Sequence, residues 1–157
     1  MPYEGTTRVP SAPPVPLAAR VIGFTGTREG MTEAQRTTVF ELLRQARTLH
    51  HGDCVGADAD ADRIARQQKM QVVSHPPSDE RLRAFCTADE TRSAKPYLAR
   101  NRDIVNESEL LLATPAQDAE QRRGGTWFTV RYARSAGKPT VIVWPDGSYS
   151  SERGGQR

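Results

Sequence analysis

The sequence predicts an α/β protein, a three-layer Rossmann-like domain with a mostly parallel sheet of about five strands. Three observations carry that prediction. Short apolar runs alternate with segments of helical periodicity along the chain. Two of the runs, "LLLA" and "VIVW", are apolar throughout, as strands covered on both faces must be. Glycine and proline stand at the junctions, where the chain must turn between layers.

Taken in order, "ARVIGFTG" (19–26) is a short apolar run ending in glycine, a buried strand. "MTEAQRTTVFELLRQARTL" (31–49) follows as a helix. Thr32 is its cap and Gln35 stands at the capping-box position. Val39, Leu42, Leu43, Ala46 and Leu49 make one apolar stripe. "TLHHGD" (48–53) is a weaker strand. "ADADADRIARQQ" (57–68) is a short helix with Ala57, Ala61, Ile64 and Ala65 inward. "MQVVSHP" (70–76) is a strand stopped by Pro76 and Pro77. A polar segment runs over 76–96. "PYLARNRDIVNES" (96–108) is helical, with Pro96 in the first turn. "ELLLATP" (109–115) is the strongest strand. "GTWFTVRYARSAGKP" (125–139) is a helix that Gly137 ends and Pro139 stops. "TVIVWP" (140–145) is the last strand.

This divides the chain into a Pro-rich disordered arm over 1–18, a Rossmann-like domain over 19–146 and a flexible tail over 147–157. The 157 residues suffice for one domain with a proper core. Apolar residues at 36% and charged residues at 26% are ordinary for a globular domain. A net charge of +3 permits anionic ligands without arguing for nucleic acid. Cys54 and Cys86 form no CxxC pair, so a reducing setting is the simplest reading. The N-terminal arm has no apolar run that would make a signal peptide, and no stretch reaches membrane-span length. A cytoplasmic protein without a membrane partner is expected.

In a sheet of this kind ligands bind outside the carboxyl ends of the strands. Three such ends carry glycine with small polar residues. In the first, Thr25, Gly26, Thr27 and Arg28 offer backbone N–H groups and hydroxyls to an anion. The turn lacks the spacing of a dinucleotide GxGxxG motif and the lysine of a Walker loop. The second is "HHGDCVGADADADRIA" (50–65). Its aspartates fail as a calcium loop, because Arg63 replaces the required glycine and Lys69 the bidentate glutamate. A zinc site from His50, His51, Cys54 and His75 lacks the usual ligand pairs, so no metal is expected. A phosphate cradle is preferred, with Gly52, Asp53, Gly56 and Ala57 forming the turn and Asp58 touching a ribose hydroxyl or complementing the helix dipole. Asp60 is read as solvated and Asp62 as a plain helix residue. In the third, Gly124, Gly125 and Thr126 open a helix after the strongest strand. Arg100, with Asn101 beside it, sits on the helix leading into that strand and is suited to a phosphate or carboxylate.

Together "GFTGTR" (23–28), "HGDCVGAD" (51–58), "RNRDIVNESELLLATP" (100–115) and "RGGTWFTVRYARSAGKP" (123–139) resemble the SLOG superfamily. This group of Rossmann-like nucleotide-binding domains includes the Lonely Guy phosphoribohydrolases and DprA. The small stand-alone YspA/YpsA-type branch is the nearest likeness, over about residues 19–146. The resemblance implies that "HGDCVGAD" holds phosphate and that Arg100 matches the family's catalytic arginine. Gly125 and Thr126 match the Gly-Thr of the PGGxGTxxE motif. The motif's catalytic glutamate, however, falls on Thr129 or Val130, and the insertion "AQDAEQRR" separates Pro115 from the glycines. Asp58, Asp103 or Glu107 could stand in for it.

Three functions follow. The first is a sensor or carrier domain that binds a nucleotide or nucleotide-derived ligand, favoured by the missing glutamate. The second is a nucleotide N-glycosidase, a hydrolase that would need a carboxylate to stabilise an oxocarbenium-like state. The third, behind both, is DprA-like binding of single-stranded DNA on a strip of Arg122, Arg123, Arg131 and Arg134. Nucleic acid is therefore not the expected partner, and no resident cofactor is expected. Lonely Guy relatives are commonly dimers, so the resemblance also implies a homodimer; the helix around Trp127 and Tyr132 is either one surface for it or, with those aromatics inward, part of the core.

Overall fold

The computed structural model describes residues 14–154. Its seven strands are β1 (Val21–Gly26), β2 (Thr48–His51), β3 (Gln71–Ser74), β4 (Glu90–Thr91), β5 (Leu110–Thr114), β6 (Thr140–Val143) and β7 (Tyr149–Glu152). The helices are α1 (Glu33–Leu42), α2 (Ala57–Gln67), α3 (Tyr97–Asn106) and α4 (Gly125–Ser135). The strands form one sheet in the order β4-β3-β2-β1-β5-β6-β7. All neighbours are parallel except β6 and β7. This is the expected α/β class with two more strands than the sequence suggested.

Two apolar clusters cover the sheet. Ile22, Phe24, Leu49, Val72 and Leu112 pack with Val39 and Leu42 of α1 and Ala61 and Ile64 of α2. Leu111, Ala113 and Ile142 pack on the other face with Val105 of α3 and Trp127, Val130 and Ala133 of α4. The alternation of Leu111, Leu112 and Ala113 between clusters is the two-residue period of a strand buried on both sides. Chain order reverses between β1 and β5, which pair from Ile22↔Leu110 to Gly26↔Thr114. The carboxyl ends of these two strands are the switch point, where a cleft must open.

Three expectations need correction. Helix α1 begins as expected, with Thr32 and Gln35 closing a reciprocal capping box. It ends at Leu42, however, and Leu49 is a β2 residue. A helix-like stripe in sequence therefore spans a helix, a turn and a strand that share one core. The segment after 147, read as a tail, holds β7. Trp144 Nε1 donates to Ser150 Oγ at 3.2 Å, and Arg134 Nε donates to Glu152 Oε1 at 2.9 Å. These bonds and the backbone ladder fasten a polar strand whose composition carries no apolar signal. Within the arm assigned to 1–18, residues 1–13 lie outside the described residues, but Leu17 packs on the core and its N–H donates to the Leu42 carbonyl at 2.9 Å. Among the described residues no helix is long and apolar enough to cross a membrane.

Candidate functional site

A cleft of about 370 Å³ opens at the carboxyl edge of the sheet. Thr25, Gly26, Thr27, Arg28, Gly52, Asp58, Arg100, Asn101, Gly124, Gly125 and Thr126 line it, all from the predicted set. Asp53, Gly56 and Ala57 do not. The turns reach this place because β1, β2 and β5 are parallel neighbours and end at the same edge.

The first two turns are locked to each other. The Thr27 carbonyl accepts from Ala57 N at 2.9 Å, and Thr27 N donates to the Thr114 carbonyl at 3.1 Å. Gly56 has φ +97°, and a Cβ there would collide with the Arg28 backbone. Its glycine thus permits turn-to-turn packing rather than ligand approach. Most N–H groups of the second turn are spent internally. Asp53 N donates to His51 Nδ1 at 2.9 Å, Cys54 N to Asp58 Oδ2 at 3.1 Å, and Val55 N to the Leu82 carbonyl at 3.1 Å. Asp53 is fully buried, and its carboxylate holds Arg83 Nε at 2.6 Å and Cys86 N at 2.9 Å. It anchors the 83–86 loop.

The third turn differs. The α4 helix starts at Gly125 behind Gly124, whose φ is +109°. The first backbone bond at this end runs from Phe128 N to the Gly124 carbonyl. The N–H groups of Gly125, Thr126 and Trp127 therefore take no partner among the described residues, as at any uncapped helix start, and all three residues line the cleft.

Arg100 is 4% exposed and enclosed by acceptors. Its Nη1 donates to the carbonyls of Gly52 and, at 2.8 Å, His75. Nη2 reaches Cys54 Sγ at 3.1 Å, and Nε donates to Asn101 Oδ1. These bonds account for four of the five guanidinium donors. Arg100 staples β2, β3 and α3 together at the cleft wall. Asp58 lies beside it, and burial holds its carboxyl above the usual range against the opposing pull of His51 and Arg100. Burial likewise pushes the Cys54 thiol up.

Tyr97, Glu29 and Gln117 line the cleft without having been expected there, and Cys54 entered the sequence reading only as a zinc ligand. Arg123 entered it only as part of a DNA strip. Tyr97 had a readable signal, because Pro96 marks the start of α3 and first-turn side chains reach the sheet edge. Arg28 lies over the Tyr97 ring, 5.6 Å from its centroid. The insertion carrying Gln117 and Arg123 gave no such signal. Gln117 Oε1 accepts from Trp127 Nε1 at 3.1 Å, which seats the insertion on α4. Arg28, Arg100 and Arg123 face Glu29 and Asp58 around the cleft, an environment suited to an anion.

The remaining aspartates are not surface decoration. Asp60 is buried, accepting from Met31 N at 2.8 Å and from Arg63. Asp62 is buried too and accepts from His51 Nε2 at 3.0 Å. Of the carboxylates considered as replacements for the family glutamate, only Asp58 lines the cleft. Asp103 is paired with Lys95, and Glu107 with Arg92. Thr129 and Val130, where the glutamate would fall, are buried, and the Thr129 hydroxyl donates to the Gly125 carbonyl at 2.8 Å. The four residues weighed for zinc are split. His51 faces α2, Cys54 lies in the cleft wall, and His50 and His75 meet through their ring nitrogens at 2.8 Å. In the arginine strip, Arg134 is held by Glu120 and Glu152, and Arg131 by the Gln121 and Arg122 carbonyls.

No protein-family model matches the sequence, and no curated protein matches it either. Solved structures do resemble the fold. A molybdenum cofactor binding protein from the phototrophic bacterium Rippkaea orientalis superposes with a TM-score of 0.63 at 20% identity, over 80% of this chain and 76% of that one. The molybdenum cofactor carrier protein from Chlamydomonas reinhardtii gives 0.58 at 22% identity, over 78% and 75%. DNA processing protein A (DprA) from Streptococcus pneumoniae gives 0.57 at 17% identity, over 80% of this chain but only 49% of that longer one.

Proposed function

Because this chain has the Rossmann-like fold of the SLOG and DprA proteins, we propose that its cleft binds a nucleotide or nucleotide-derived anion, as a sensor or carrier domain. The observation that supports this reading is the set of N–H groups at Gly125, Thr126 and Trp127 without a partner among the described residues, flanked by Arg123 and Arg28. A phosphate belongs there, on the helix N-terminus. This shifts the phosphate from the Gly52–Asp58 turn, whose donors are largely used, to the α4 turn. Tyr97 at the cleft rim is the face against which a base or other flat ring stacks. Gly52 and Asp58 close the far wall, with Asp58 toward a hydroxyl of the ligand.

One observation favours a second reading, hydrolysis of an N-glycosidic bond. Asp58 places a buried carboxyl in the cleft next to Arg100, the position matching the family's catalytic arginine. A single panel separates the two. Purified protein is mixed with nucleoside mono-, di- and triphosphates, NAD, ADP-ribose and molybdenum cofactor, the last because two solved neighbours bind or carry it. Calorimetry follows binding and NMR follows base release. Saturable binding without turnover, weakened about tenfold or more in Arg123→Ala, supports the carrier or sensor reading. Base release abolished by Asp58→Asn makes the protein a hydrolase. Absence of binding across the panel overturns both.

A further inference from the structure

On the α3 side of the sheet, two histidines and a carboxylate converge away from the cleft. His50 of β2 and His75, just past β3, bring Nδ1 and Nε2 to 2.8 Å from each other. Glu107, the C-cap of α3, places Oε1 3.8 Å from His50 Nδ1 and 3.9 Å from His75 Nε2. We propose that these three atoms form a site for a zinc-like divalent cation.

The two ring nitrogens stand at ordinary hydrogen-bond distance, and it is the Glu107 oxygen that points to shared ligation. Glu107 Oε1 is out of hydrogen-bond reach of both rings. Ligand atoms around a tetrahedral zinc, with bonds of about 2.0–2.1 Å, stand about 3.3 Å apart. The observed separations bracket that value, so shifts of a fraction of an ångström suffice. Two imidazoles and one carboxylate are a zinc donor set, while calcium and magnesium prefer oxygen alone. Both rings are buried, and the Glu107 side chain is 37% exposed, so the carboxylate is the solvent-facing member of the three.

The facing nitrogens of His50 and His75 share one hydrogen bond. Metal binding would move its proton to the far nitrogen of the donor ring. Of the nearby charges, Glu90, Glu107 and Asp103 outnumber Arg92 and Lys95. Lys95 is paired with Asp103 at 2.6 Å. Arg92 donates to Glu107 Oε1 through Nε at 3.0 Å and Nη2 at 2.9 Å, so a cation bound at that oxygen shares it with the guanidinium or displaces it.

A second cluster, His51 with Asp62 and Cys86, differs in that its histidine and carboxylate are already in direct contact. His51 Nδ1 accepts from Asp53 N, so Nε2 carries the proton and donates to Asp62. The Cys86 thiol is pushed up to about 12, mainly by burial. The His50 site would tie β2, the end of β3 and α3 together. The His75 carbonyl that Arg100 holds makes it a neighbour of the cleft wall.

The chain has three histidines in all, so tag-free full-length protein gives a clean test. The protein is stripped with chelator and titrated with zinc by calorimetry, with cobalt absorption as a coordination probe. One equivalent is expected, with the His50 and His75 ring signals shifting in NMR and the His51 ring unmoved. Glu107→Gln and His75→Gln should each weaken zinc about tenfold or more, and Cys86→Ser should leave it unchanged. Glu107→Gln changes a half-exposed side chain and keeps its shape, so it reads out even if His75→Gln fails to fold. Binding that survives Glu107→Gln but is lost in Cys86→Ser overturns the assignment, as does a wild-type protein that binds no zinc.

Discussion

Arg100 is a cation enclosed by carbonyls, and Asp58 is a carboxyl pressed into the same wall. Removing the guanidinium strands buried acceptors at Gly52, His75 and Asn101. Arg100→Met should therefore cost about 3 kcal/mol in urea unfolding, far more than loss of a surface arginine. A cost below about 0.5 kcal/mol would show that the staple carries no stability. Asp58 gives a pH prediction. Its folded pKa is raised above the unfolded value, so its contribution to stability is most favourable below the unfolded pKa and is lost as pH rises through the folded one. Asp58→Asn lacks that loss. The variant should gain on wild type at neutral pH and forfeit the gain in acid; thermal melts across pH that show the gap widening toward acid would contradict the assignment. Asp60 and Asp62 teach the same lesson in reverse. Read one residue at a time they look like solvated helix charges, yet each has a buried partner that only folding supplies, Met31 N for one and His51 for the other.

At the scale of elements, the two glycine turns look alike in sequence but do different work. Gly56 lets the second turn press on Arg28, whereas Gly124 opens α4 into unfilled space, with φ +109° and no atom within 4 Å of where a methyl would stand. Gly124→Ala should thus be destabilising through backbone strain alone, by about 1–2 kcal/mol, and should also weaken ligand binding by tilting the free N–H groups. A variant with wild-type stability and affinity would mean that α4 keeps its start without the positive φ. Helix α1 supplies an independent check. Thr32 accepts from Gln35 N at 3.0 Å and its hydroxyl donates to the Pro145 carbonyl at 2.7 Å. Thr32→Ala should cost about 1–2 kcal/mol by calorimetry, the upper end reflecting the added tie to the loop after β6.

At the scale of the molecule, β7 closes the β6 side of the sheet. A chain ending after Asp146 would expose the β6 edge and strip Trp144 and Arg134 of partners at Ser150 and Glu152. It should unfold at clearly lower denaturant concentration than the full chain, by roughly 2 kcal/mol or more, and should self-associate through the bare edge. Equal stability would show β7 to be an appendage. The homodimer implied by the family resemblance is a separate question, answered by light scattering on the intact chain. Trp127 cannot serve as its surface, since the indole is 2% exposed inside the α4 core.

Pattern alone determined the α/β class, the capping box at Thr32, the buried strands and the fact that glycine turns gather at one edge. These follow from short-range rules: residue period, cap chemistry and the parallel order that βαβ units impose. Even the positions lining the cleft were mostly legible, because parallel strands end together. Only the tertiary structure decided which donors stay free. The second turn spends its N–H groups on His51, Asp58 and Leu82, partners that sequence spacing does not reveal, whereas those of the α4 turn find none among the described residues. The pairing of His50 with His75, the carbonyl cage of Arg100 and the seat of polar β7 likewise depend on contacts between segments distant in sequence. Hydrogen-bond satisfaction is settled pair by pair in three dimensions, and a one-dimensional pattern records only one member of each pair.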